Sequence, residues 1–379
     1  MRRCVLALLW CVPLVLTGCV KHAVVVAGKK VPFPPPEVTS PLAGIASFGL
    51  SEPWLRYQNA SIDPRIAEVP DAIEEGLKSD PGRYLPELVA FLMDGTQDDF
   101  HAVKRLHDWV AEHIAYDTES FFAGITPPGG VGIDNVLKRG SSVCSGYARL
   151  FQAMARQAGF PAEVVPGYSR QAWGAMGSDP FAEKDSLKPN HAWNAVQIQG
   201  QHYLLDTTWD AGWVSKAGGF TKRYKTEYLF VPPARALETR YPTDASWQLL
   251  ERPLSEAEFR ALPFAKNRVF ASDLKLLTPL DRVTAVESTT RVRVSVPEGK
   301  LLLAELQGKD GKEHAQTTQI EEGEDGADIL VVFPEPGQWS LSLWVGSATK
   351  HGSHTRYEYS LSTRFAFNAS EGSAVRFPE

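Results

Sequence analysis

Cys144 is the residue around which chemistry can be built. It follows Ser142-Val143 and precedes Ser145-Gly146, at or just inside the start of a helix that the pattern places between Ser141 and Phe160. Free backbone N–H groups at a helix start carry partial positive charge, which stabilises a thiolate and lowers the pKa of the thiol. The same groups can bind a developing oxyanion, and the small neighbours Ser145 and Gly146 leave room for a substrate carbonyl. A thiol nucleophile gains from a general base, and the base gains from a group that orients it. Of the nine histidines, His22, His314, His351 and His354 lie in the N-terminal stretch or the C-terminal tail. His101, His107 and His113 stand among polar residues of an early helix and read as solvated. His191 and His202 lie on a hairpin, and its geometry separates them. A two-residue turn at Gln199-Gly200 pairs Ile198 with Gln201, and so Trp193 with Asp206, which makes His191, Trp193 and Asp206 project from one face. His191 and Asp206 are then diagonal neighbours within side-chain reach. An Asp beside a His fixes its tautomer and stabilises the imidazolium.

The elements that must position these residues are legible in the periodicity. Residues 62–116 read mainly as helix, with Val103, Leu106, Val110 and Ile114 on one face and Trp109 beside them. In the helix that carries Cys144, Ser141 or Ser142 can cap the start, and Tyr147, Leu150, Phe151, Met154 and Ala158 recur on one face. Gly159 and Pro161 stop it. Residues 162–168 read as a strand, 169–190 as a polar loop that could cover a cleft ahead of His191, and 191–206 as the hairpin. After about residue 275 the alternation switches to short strands separated by Gly and Pro, the pattern of a small β-sandwich.

The chain has 379 residues, a net charge of −6 and four cysteines. That charge gives no electrostatic reason to expect nucleic acid. Met1-Arg2-Arg3, the apolar run from Cys4 to Leu16 and the small residues before Cys19 make a secretory signal of residues 1–18. Leu16-Thr17-Gly18-Cys19 resembles a bacterial lipobox, so Cys19 is the expected lipidation site, and Val20 favours the outer membrane facing the periplasm. Cleavage removes Cys4 and Cys11, and lipid occupies Cys19. Cys144 is left without a partner in an exported chain, where cysteines are mostly paired. Pro32, Pro34, Pro35, Pro36 and Pro41 make residues 19–60 an extended tether. No spacing calls for a metal or a cofactor; the acidic run Glu321-Glu322-Gly323-Glu324-Asp325 reads as solvated surface.

Three blocks resemble the transglutaminase-like superfamily, a papain-type Cys-His-Asp group. They are Ser142-Val143-Cys144-Ser145-Gly146-Tyr147-Ala148, Asn190-His191-Ala192-Trp193-Asn194-Ala195-Val196, and Tyr203-Leu204-Leu205-Asp206-Thr207-Thr208-Trp209. Upstream, Trp109 through Ile114-Ala115-Tyr116-Asp117 looks like the helix leading into that core. Downstream, Tyr241 through Leu250 is similar to the kyphoscoliosis-peptidase branch. The resemblance implies an α+β fold: a papain-like transglutaminase core over residues 61–270, in which the helix carrying the Cys packs on an antiparallel sheet. An all-β sandwich of immunoglobulin-like type follows over 275–379. It puts nucleophile, base and orienting acid on Cys144, His191 and Asp206. Trp193 and Trp209 are then candidates for an acyl-binding groove, and Trp109 or Asn135 for the second oxyanion donor. The implied activity is thiolate attack on an amide carbonyl of an envelope peptide or protein, giving an acyl-enzyme resolved by water or by an amine. A catalytically silent scaffold or binding module is the alternative, because family membership does not settle the reaction.

Overall fold

The computed structural model describes residues 22–26, 29–33, 52–170, 189–215, 219–262, 264–265, 275–276, 283–296, 298–323, 326–351 and 354–377. The signal peptide, Cys19 and most of the expected cleft-covering loop, Trp173 included, lie outside the described residues. Part of the expected tether is sheet: β1 (His22–Val26) folds back antiparallel on β2 (Lys29–Phe33). The tether also ends before residue 60. Helix α1 (Glu52–Tyr57) buries Trp54 and Tyr57 in the core. Trp54 Nε1 donates to the Glu227 carbonyl at 3.3 Å, and Thr226 Oγ1 donates to the Tyr57 carbonyl at 2.6 Å. Two large aromatic rings on one short helix outweigh the extended preference set by the prolines upstream.

The helices expected over 62–116 are α2 (Asp71–Ser79), α3 (Pro81–Met93) and α4 (Asp99–His113). Asp98 starts α4 by accepting from the His101 N–H at 2.8 Å. The α4 stripe Val103, Leu106 and Val110 is buried, and Ile114 just past its end is buried too. The short β3 (Ala115–Tyr116), α5 (Thr118–Ala123), α6 (Ile133–Arg139) and β4 (Ser141–Ser142) then lead into α7 (Cys144–Gln157). Tyr147, Leu150, Phe151 and Met154 of α7 are buried, as their spacing predicts. Ser141 and Ser142 do not cap it. The cap position is Val143, without a side-chain cap bond, because the two serines are drawn into β4, which pairs in parallel with β3. Gly146 permits this: a Cβ there would lie 2.0 Å from Ser142 Oγ and 3.0 Å from Val136 Cγ2. The space at Gly146 is therefore filled by the protein's own side chains and is not left for substrate.

Helix α7 packs on a four-stranded antiparallel sheet. Its strands are β5 (Ala162–Ser169), β6 (His191–Ile198), β7 (Gln201–Leu205) and the edge strand β10 (Arg240–Pro242), which adjoins β5. A separate hairpin, β8 (Gly212–Ser215) with β9 (Gly219–Lys222), precedes that edge strand in the chain. Gln199 and Gly200 both have positive φ, 52° and 83°, the conformation of a two-residue hairpin turn. Ile198 accordingly pairs with Gln201. Asn194 of β6 ties the sheet to the helix: its Nδ2 donates to the Ala148 carbonyl at 2.9 Å and to the Glu163 carbonyl at 3.1 Å. The chain leaves β7 directly into α8 (Thr207–Ala211).

From residue 264 onward the described elements are all strands, in two sheets. One orders β11 (Phe264–Ala265), β19 (His354–Ala369), β18 (Gly337–His351) and β15 (Leu301–Gly308), with β13 (Val283–Val286) parallel to β19. The other orders β12 (Lys275–Leu276), β14 (Thr289–Ser295), β17 (Gly326–Val332) and β16 (Thr318–Gly323). Val292, Ile329, Leu341 and Phe367, drawn from both sheets, share one core. No helix among the described residues is long and apolar enough to cross a membrane.

The histidines of α4 all engage protein groups, and one of them is buried. His101 Nε2 lies 2.6 Å from Asp63 Oδ2, and His113 stacks on Trp109 and reaches Glu74. His107 is fully buried, with Nδ1 3.2 Å from Asp108 Oδ1 and Nε2 3.0 Å from Asp210 Oδ2. Asp210 belongs to α8, so this contact fixes α8 against α4. Lys104 and Tyr224 complete the cluster on Asp108. Burial opposes charge on His107, but bonds to Asp108 and Asp210 raise its pKa to about 9. Burial pushes the Asp210 carboxyl up to about 6, so it titrates below the range in which His107 does. Folding thus favours protonated His107 over its ordinary value of about 6.5. Its stabilisation is full below that value and is lost as pH rises through about 9. Melting temperature is expected to fall across that window, and His107→Gln to flatten part of the fall; calorimetry at stepped pH checks it, and an unchanged slope refutes it.

Candidate active site

Cys144 is the first residue of α7, partly exposed and without a disulfide. His191 opens β6, and Asp206 sits just past the end of β7, where it caps α8. The hairpin register carries both residues to one face, and α7 packs on that sheet. The three expected residues therefore meet. His191 Nε2 is 2.7 Å from Asp206 Oδ2, which leaves Nδ1 to hydrogen-bond the Cys144 side chain. Both His191 and Asp206 are shielded from water.

Asp206 does two jobs with its two oxygens. Oδ1 accepts from the N–H groups of Thr208 and Trp209 at 3.0 and 3.1 Å, the cap of α8. Oδ2 faces His191 and, at 2.8 Å, Nη2 of Arg240. Burial would raise this carboxyl, but the charges of His191 and then Arg240 hold it below its usual range. Burial likewise opposes charge on His191, yet Asp206 and then Cys144 raise it to about 9. Burial pushes the Cys144 thiol up, while the bond to His191, the His191 charge and the Ala192 N–H together bring it below its usual value. Both shifts favour the thiolate–imidazolium form of the pair.

Trp193 and Trp209, expected to line an acyl groove, both flank the imidazole. Trp209 is partly exposed and stacks on His191 at 4.9 Å. Trp193 is only 2% exposed, stacks on His191 at 6.0 Å, and lies against Gly167, where a Cβ would sit 2.4 Å from its ring. It is a packed wall behind the base and offers no open face to a substrate. Trp109 and Asn135 do not supply an oxyanion donor. Trp109 Nε1 donates to Glu74 Oε1 at 3.3 Å, and Asn135 Nδ2 donates to the carbonyls of Pro128 and Gly130 at 2.8 and 2.7 Å. Their amide and indole hydrogens are already committed.

Two residues at the site have no local sequence signal. Tyr116 is brought beside Cys144 by the parallel pairing of β3 with β4, which sets Tyr116 opposite Ser142. The Cys144 backbone N–H reaches the Tyr116 hydroxyl. Burial, then the neighbouring charge of Cys144, keeps that phenol protonated far into the alkaline range. Arg240 arrives on the edge strand β10, from outside the hairpin and the Cys144 helix. The cap on α8 did have a signal: Asp206-Thr207-Thr208 is a helix-start sequence.

Among the described residues no group of His, Cys, Asp and Glu could hold a metal ion. A thiol, an imidazole and a carboxylate in contact can do covalent chemistry at a carbonyl. Residues 86–215 match the model of the transglutaminase-like superfamily, a span that contains Cys144, His191 and Asp206. The chain carries a transglutaminase-like domain and is homologous to the kyphoscoliosis peptidases. It is 30% identical to the mouse kyphoscoliosis peptidase and 29% identical to the human one, over 77% of this chain and 43% of each relative. The chain thus spans less than half the length of those relatives. A solved structure described as a TGase shares 19% identity, covers 37% of this chain and 34% of its own, and superimposes with a TM-score of 0.26.

The lowered thiol and the imidazolium raised to about 9 make a pH test. Iodoacetamide labelling of Cys144 is expected to rise at a pH below that of a free thiol, hold through neutrality, and change again near the His191 value. His191→Ala should merge these into one transition at or above the free-thiol value and slow labelling at pH 7 by about tenfold, the equivalent of a one-unit pKa change. A wild-type profile matching that of a free thiol would sink the assignment.

Proposed function

We propose that this chain is a thiol acyl-transfer enzyme that cleaves or transfers amide bonds of peptides or proteins through a thioester on Cys144. The observation that carries it is the continuous chain from the Cys144 thiol through His191 to the buried Asp206. The thiolate attacks the amide carbon, and the carbonyl π electrons move to oxygen. The Tyr116 hydroxyl hydrogen, beside the start of α7, receives that oxyanion. His191 then gives its proton to the leaving nitrogen, the C–N bond breaks, and the acyl group stays on sulfur. Water or an amine attacks the thioester, and His191 takes the incoming proton. The sulfur then departs as thiolate to face the imidazolium again. Water yields hydrolysis; an amine yields a cross-link.

The test uses intact-protein mass spectrometry of the full chain with a library of activated peptide acyl donors. A mass gain at Cys144 is expected, absent in Cys144→Ala. Tyr116→Phe should slow acylation on the order of 100-fold while leaving iodoacetamide labelling within a few-fold, since alkylation forms no oxyanion. A labelled but never acylated Cys144 would favour the silent scaffold.

The same reading places the enzyme at a bacterial envelope, on the outer membrane facing the periplasm and held by lipid on Cys19. The support is the order of basic start, apolar run and Leu16-Thr17-Gly18-Cys19. The mature chain should begin at Cys19, carry a diacylglyceryl mass and partition into detergent, and Cys19→Ala should abolish both. A wild-type chain cut elsewhere and found in the aqueous phase refutes the anchor.

A further inference from the structure

Arg240 lies outside the residues that match the family model, yet it contacts the centre of the proposed site. Its side chain is 1% exposed. Nη2 stands 2.8 Å from Oδ2 of Asp206, the same oxygen that His191 Nε2 approaches at 2.7 Å. Among the described residues the guanidinium makes no aligned hydrogen bond, so this approach is a charge contact. Three aromatic rings stand around it. Its central carbon lies 4.3 Å from the ring centres of Trp209 and of Tyr228, and 5.8 Å from that of Trp193. Trp193 and Trp209 also stack on the His191 imidazole. The guanidinium and the imidazole thus share one carboxylate oxygen and two indoles.

Such burial of a cation is costly unless it serves the group it touches. A structural role would be met by aligned bonds to carbonyls, as Arg105 makes to Leu92 and Asp94 elsewhere in this core. Arg240 instead faces the one carboxylate on which the orientation of the base depends. We propose that Arg240 is a positioning residue of the thiol site: it holds the Asp206 carboxylate in place and balances its charge, so that His191 can release its proton to a departing amine. This rests on the acyl-transfer reading above.

Among the described residues, ionisable groups approach His191 from several elements. Cys144 faces it from α7, Asp206 from the α8 cap, and Arg240 from β10 behind Asp206; the Tyr116 phenol lies beyond Cys144, and the Tyr228 phenol lies under Arg240. With Arg240 present, the negative charge of Asp206 is divided between two cations. With Arg240 replaced by a neutral residue, the whole charge acts on the imidazolium, which then holds its proton more tightly. A base that holds its proton too tightly keeps the thiolate formed but protonates the leaving group poorly. The thioester should therefore form more slowly although the thiol remains reactive.

The experiment compares wild type, Arg240→Met and Arg240→Lys in the full chain. The pH profile of iodoacetamide labelling at Cys144 is measured beside the rate of acylation by an unactivated peptide amide. Arg240→Met keeps the buried bulk and should shift the alkaline limb of labelling upward by about one pH unit or more, with acylation slowed at least tenfold. Arg240→Lys restores a cation in the ring cage and should return the limb to within a few tenths of a unit of wild type. A limb that stays put in Arg240→Met, or that shifts equally in Arg240→Lys, overturns the positioning role. If Arg240→Met does not fold, the neutral Arg240→Gln takes its place: an upward-shifted limb with slowed acylation supports the role, and an unshifted limb overturns it. A wild-type Cys144 that labels like a free thiol overturns the acyl-transfer reading itself, and this inference with it.

Discussion

A buried carboxylate sets the terms for the helix-and-sheet half of this molecule. Asp206 is almost wholly removed from water, and an unpartnered charge there would cost several kcal/mol, on the order of what breaking a buried ion pair costs. Its oxygens are therefore fully committed, with Oδ1 to two backbone N–H groups of α8 and Oδ2 to His191 and Arg240. Each commitment constrains an element. The cap sets where β7 ends and α8 begins, the imidazole contact joins the start of β6 to the end of β7, and the guanidinium contact ties β10 to the same carboxylate.

Around that carboxylate the structure repeats one device, a polar side chain that ties two separate stretches of chain. Asp210, one turn beyond Asp206, reaches His107 on α4 and accepts from the Tyr228 N–H. Asn194 joins β6 to the helix that carries the thiol. Asn190 clamps the Ser169 backbone at both its N–H and its carbonyl, closing the two described ends of the loop that precedes His191. Apolar packing brings α7 onto the sheet, but it is nearly blind to sub-ångström position. Directional bonds to specific atoms set the place of the imidazole beside the thiol.

The same economy explains why several expected roles were reassigned. Trp193 and Gly146 sit where substrate contacts are easily imagined, yet one is wedged between Gly167 and the imidazole, and the other makes space for Ser142. Trp109 and Asn135 carry hydrogens suited to an oxyanion and give them to Glu74 and to a turn at Pro128 and Gly130. The site is narrower than its inventory of polar and aromatic residues suggests. Beside the thiol, the Tyr116 hydroxyl and the exposed part of Trp209 remain.

Sequence alone determined what depends on short-range periodicity. The burial stripe of α7 follows from spacing along one helix, and the placement of Cys144 at its start follows from where that stripe begins. The meeting of His191 and Asp206 follows from a two-residue turn and the period of a strand. Tertiary structure alone decided the contacts made across long stretches of chain. His107 looked solvated because its neighbours in sequence are polar, and it is buried because Asp210, 103 residues away, is folded against it. Tyr116 stands at Cys144 through a two-residue parallel pairing too short to leave a pattern, and Arg240 reaches Asp206 from an edge strand with no periodic signal of its own. Local propensity fixes which face a residue takes; only the packing of distant elements fixes which residue it meets there.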